Sequence, residues 1–142
     1  MTDFVPGLND PSPVSRVIVF GYYDGATDGV MELADGLVYR FDLADETHNP
    51  EGCDERQFDL RPLPPGSLDR LAAIIGEHIT PAWPVWAPIW NFSTDVLKVE
   101  VERRVDAILD LAIEPQWRIT TSDTTSFGTL TALPLRSAVR AV

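Results

Sequence analysis

Two groups of side chains in this 142-residue chain have types and spacing that suit chemistry. The first is Tyr22, Tyr23, Asp24, Asp28, Arg40 and Asp42, spread over residues 16–43, RVIVFGYYDGATDGVMELADGLVYRFDL. An arginine set among carboxylates and phenols makes a polar cradle for an anionic or polar ligand, and enclosure shifts the proton affinity of its members. The same residues also make ordinary ion pairs at the margin of a sheet, which is the structural alternative. The second group is Trp83, Trp86 and Trp90 in PAWPVWAPIWNF, residues 81–92. Tryptophan concentrates both in interface hot spots and in small cores, so this run is either cover for a sheet or a contact surface with Trp86 at its centre.

Other chemistries have less support. With Asp24 in first position, Asp28, Gly29 and Asp35 fall fifth, sixth and twelfth, as in a calcium loop. Ala26 then occupies the third position, which needs an oxygen ligand, and the flanks read as strands. Tight-turn chemistry therefore explains the Asp-Gly pairs better. His48 and Cys53 share one polar stretch and His78 lies near a helix end, but nothing in their spacing supplies an activated thiolate with an oxyanion donor. The single cysteine excludes an internal disulfide and a cysteine-rich zinc site. Neither a metal nor a cofactor is expected, and no residue is assigned as catalytic.

The elements that must carry these residues follow from periodicity. Residues 16–23 are apolar on both faces, the mark of a strand in the middle of a sheet. Asp24-Gly25 and Asp28-Gly29 predict a hairpin turn, 30–33 its short return strand, and Asp35-Gly36 a second turn. In 37–43, Leu37, Tyr39, Phe41 and Leu43 alternate with Val38, Arg40 and Asp42, predicting one buried and one wetter face. Residues 44–56 are polar and read as a loop, and 57–63 as a fourth strand stopped by Pro62, Pro64 and Pro65.

Ser67 is placed to cap a helix whose stripe is Leu68, Leu71, Ala72, Ile75 and Ile79. Three prolines make 81–92 extended. Ser93 or Thr94 caps a second helix with Leu97, Val101, Val105, Ile108 and Ala112 on its inner side, and 116–121 is a further strand. Residues 1–15 form an extended arm, and 122–142 are peripheral, adding one strand or fraying. The expected fold is one α+β domain over 1–142. Its mostly antiparallel sheet combines an N-terminal meander of three to four strands with one or two C-terminal strands, and two helices cover it.

Charge narrows the function classes. The net charge is −11, and residues 1–60 alone hold 13 acids against three bases. That distribution opposes phosphate backbones and anionic lipid, so neither nucleic acid nor membrane is an expected partner. No apolar run is long enough to span a bilayer and the first residues lack a signal peptide pattern, which predicts a cytoplasmic protein.

GYYDGATDGV, then VYRFDLADE, LPPGSL and WPVW, resemble a family of small bacterial proteins that share a GYYDG…YRFD core, over two-thirds of the chain through Trp90. The resemblance implies no activity, cofactor or partner. Ten arginines against one lysine suit a GC-rich bacterial genome. The leading expectation is an acidic protein-interaction module, for instance an immunity or antitoxin-like inhibitor of a basic protein partner. The alternative is a small enzyme or ligand-binding protein in which Arg40, Asp42 and Tyr22 or Tyr23 converge in a concave pocket with a perturbed ionisable group.

Overall fold

β-Branched and aromatic runs broken by glycine-bearing turns favour antiparallel ladders between chain neighbours. The computed structural model has this arrangement in β1 (Val14–Tyr22), β2 (Ala26–Leu33), β3 (Val38–Thr47) and β4 (Glu55–Leu63), each antiparallel to the next. After them come α1 (Ser67–Gly76), β5 (Val85–Trp86), α2 (Asp95–Leu109), β6 (Trp117–Thr121) and β7 (Thr131–Pro134). The strands form one sheet in the order β5-β1-β2-β3-β4-β6-β7, in which only the β1–β5 pairing is parallel. The fold is α+β. The structure describes residues 13–23, 25–47, 55–77, 85–86, 95–121 and 131–134, with side chains at all of these except 22, 85, 86, 95–98 and 131–134.

Alternation along each strand sends apolar groups to both faces. On one face Ile18, Val30 and Val38 pack with Leu71 and Ile75 of α1 and Val105 of α2. On the other, Val19, Met31, Phe41, Phe58 and Ile119 form a second buried cluster, with the Phe41 and Phe58 rings edge to face at 5.4 Å. This explains why β1 is apolar on both sides. Val38 is buried although it shares the face of Arg40 and Asp42, because the helices cover that end of β3. Only the far end of that face meets water.

Several sequence expectations need correction. Asp28-Gly29 is not a turn. The chain reverses at Tyr23–Gly25, where Gly25 has φ 130°, and Gly29 lies within β2 opposite Val19 and Phe41. A Cβ there would stand 2.1 Å from the Ile18 carbonyl oxygen and 2.7 Å from the Phe41 ring, so the glycine answers a close approach between strands.

Residues 44–56 are not simply a loop, since β3 continues to Thr47 and β4 begins at Glu55. Pro62 does not stop β4. It lies inside the strand, and its carbonyl accepts from the Ile113 amide. Ser67 is not a cap. Gly66, with φ 85°, precedes the helix, while the buried Ser67 hydroxyl donates to the Pro64 carbonyl at 2.6 Å. α1 also stops at Gly76, and Ile79, like the caps at Ser93 or Thr94, lies outside the described residues. Within the tail, Thr131–Pro134 adds a strand to β6.

Candidate functional site

The water-facing end of the helix-covered sheet face is a grid of charges set by strand register. Period-two alternation puts Asp28, Asp42 and Asp59 on this face with Val30, Arg40 and Arg61. Antiparallel pairing then sets Asp28 opposite Asp42, Asp42 opposite Asp59, and Asp59 opposite Arg118. In the adjacent row Val30 faces Arg40 and Arg40 faces Arg61. Like charges directly opposite one another destabilise a sheet. Here the arginine row relieves the aspartate row.

Arg40 Nε lies 3.2 Å from Asp42, and Arg118 Nε donates to Asp59 at 2.8 Å. Arg61 is looser, at 3.9 Å from Asp42. Arg40 also donates to the Leu109 carbonyl at 3.4 Å. α2 has no basic residue in its last turn, so a guanidinium from the sheet meets the negative end of the helix dipole. Between sheet and helix end lies an open cleft of about 530 Å³. Arg40, Asp42, Asp59 and Arg61 form its floor, and Leu109 and Asp110 stand on the helix side.

Asp28 is a half-buried carboxyl of the grid. Its Oδ1 accepts from the Thr27 hydroxyl at 3.0 Å and fills the space left by Gly21, where a Cβ would come within 2.1 Å of it. Burial pushes its pKa up, the Thr27 hydrogen bond opposes this, Asp42 adds to the rise and Arg40 counters it. The folded state thus holds this proton more tightly than the unfolded chain. The stabilisation is complete below the unfolded carboxylate range and is lost as pH rises through the raised value. Asp28→Asn should therefore raise the melting temperature near pH 7 and leave it almost unchanged near pH 3, where both states are largely protonated. Melts at the two pH values test this, and an equal effect at both would show that charge is not the cause.

Of the residues singled out by sequence, Asp28, Arg40 and Asp42 share this face, and Arg40 and Asp42 line the cleft. Tyr23 is 77% exposed at the hairpin tip and does not line it. Tyr22 and Trp86 enter only through their backbones, which pair with Ala26 and Val19, and their side chains lie outside the described residues, as does Asp24. Trp83, Trp90, His48, Cys53 and His78 also lie outside them. Compared with family models, curated proteins and solved structures, the chain matches none. Among the described residues no group of three or more His, Cys, Asp or Glu could hold a metal ion, and no helix is long and apolar enough to cross a membrane.

Asp59, Arg61, Arg118 and Asp110 were not singled out by sequence. A signal for two of them was present. Arg40-x-Asp42 and Asp59-x-Arg61 are mirror images, and antiparallel neighbours in register bring such pairs face to face. Arg56 was also missed. Its buried guanidinium donates to Glu46 at 2.6 Å, to the Ala26 carbonyl at 3.0 Å and to the Tyr23 carbonyl at 2.5 Å, joining β4 to the first hairpin.

Proposed function

We propose that this protein is a small acidic cytoplasmic interaction module that docks a basic protein partner, with an immunity or antitoxin-like inhibitor as one concrete form. The observation that carries the reading is the outer face of α2. Glu102, Asp106 and Asp110 recur there at intervals of four, all exposed, and lead to the cleft that holds Asp42 and Asp59. Such spacing aligns three carboxylates along one side of a helix. The helix end adds its own negative partial charge.

The nearest bases are engaged: Arg103 donates to Glu100 at 2.8 Å, and Arg104 makes two 3.0 Å bonds to Glu77. Beside Asp110, the exposed Leu111 and Ile113 offer apolar contact. A basic surface would be steered by the net charge of −11 and seated on this edge.

Titration with an oligo-arginine peptide, followed by amide chemical shifts, tests the reading. Shifts should centre on residues 102–113, and affinity should fall about tenfold between low and physiological ionic strength. The combined change Glu102→Gln, Asp106→Asn and Asp110→Asn should remove the binding. Shifts spread evenly over the surface, or an affinity indifferent to salt, would count against it. A second reading, a small-ligand protein, is favoured by one observation: the cleft holds both signs of charge, with Arg40, Arg61, Asp42 and Asp59 on its floor and Asp110 on the helix side.

A further inference from the structure

We infer that the cleft between the β3–β4 floor and the C-terminal end of α2 binds a small zwitterion of the α-amino-acid type, with its carboxylate on Arg61 and its ammonium on Asp110. This rests on the second reading above and names its ligand class. Most charged groups around the cleft are already committed. Arg40 is held by Asp42 and the Leu109 carbonyl, Asp42 by Arg40, and Asp59 by two bonds from Arg118 at 2.8 and 3.4 Å. Two groups are left over. Arg61 stands 3.9 Å from Asp42, beyond hydrogen-bond reach, and the exposed Asp110 makes no ion pair among the described residues.

These two groups line one cavity, Arg61 from the sheet and Asp110 from the end of the helix. A guanidinium presents paired donors that match a carboxylate. The last turn of α2, with no basic residue of its own, draws a cation toward Asp110. A simple anion in this cleft would meet Asp42, Asp59 and Asp110, and a simple cation would meet Arg40 and Arg61. A zwitterion satisfies both sets at once. At about 530 Å³ the cleft also has room for a side chain beside the two charged ends, against Ala112.

The test begins with thermal-shift screening of the full chain against each protein amino acid, with succinate and putrescine beside them. The best amino acid is then compared by calorimetry with its N-acetyl and carboxamide derivatives. Each derivative should bind about tenfold more weakly, having lost one charge-assisted contact. Arg61→Gln should weaken the free amino acid to the level of its amide while leaving the amide unchanged. Asp110→Asn should do the same with respect to the N-acetyl form. Both side chains are at the surface, and circular dichroism checks that each variant is folded. Equal binding of an amino acid and its amide would overturn the inference. Binding of succinate or putrescine alone would overturn it too, but would leave a ligand cleft standing. No binding by any probe would remove both this inference and the second reading.

Discussion

Gly29→Ala should cost about 3 kcal/mol of folding stability or more, enough to lower the melting temperature by roughly 10 °C. The new methyl would sit 2.1 Å from the Ile18 carbonyl and against the edge of the Phe41 ring. A flexible side-chain tip could yield to it. The Ile18 carbonyl belongs to a paired strand and cannot move without breaking its ladder. Phe41 is fully buried and stacked edge to face on Phe58, so displacing it disturbs a second aromatic ring as well.

Gly36→Ala supplies the contrast, since nothing lies within 4 Å of its added methyl. Its cost is only the backbone strain of φ 92°, about 1 kcal/mol. Denaturant titration of both variants separates crowding from strain. A Gly29→Ala loss no larger than that of Gly36→Ala would show that the two strands are not in close contact there.

Arg56→Met should lower stability by about 3–5 kcal/mol, although it keeps an unbranched side chain that fills the inner part of the same space. Arg56 is 6% exposed, and its guanidinium bonds one carboxylate and two carbonyls. Without it Glu46 loses one charge-assisted bond, and the Ala26 and Tyr23 carbonyls lose a donor. Arg56→Lys keeps the charge but lacks the fork that reaches three acceptors, so it should recover only part of the loss. Equilibrium unfolding in urea measures both variants. A loss below about 1 kcal/mol for Arg56→Met would mean that water replaces the guanidinium at little cost.

The framework was legible in the sequence because its signals are local and repeated. Val17, Ile18 and Val19 in succession declare a strand with two covered faces, and Leu71, Ile75, Val101, Val105 and Ile108 recur at helical intervals toward one core. The failures share another cause. Asp-Gly is turn chemistry when read alone, and only the arrival of Phe41 on the neighbouring strand gives Gly29 its other purpose. Polar strand ends such as 44–47 resemble loops until a partner is known, and Glu46 and Arg56 are that partner pair. The charged grid was half readable. Arg40 and Asp42 lie two apart on a predicted strand, whereas the contributions of Asp59, Arg61 and Arg118 depend on the β3–β4–β6 register, and that of Asp110 on where α2 ends.

The order of strands across the sheet also has a consequence for biosynthesis. Among the described residues, the four strands earliest in the chain stand together in the interior, and the later ones attach at both margins. Once residue 63 has left the ribosome the nascent chain holds a complete meander with open backbone along β1 and β4. Those edges stay open until the C-terminal half arrives with β5, β6 and β7. Open ladders of this kind invite pairing between chains. A polypeptide interrupted just beyond β4 thus lacks the described strands that cover β1 and β4 in the full sheet.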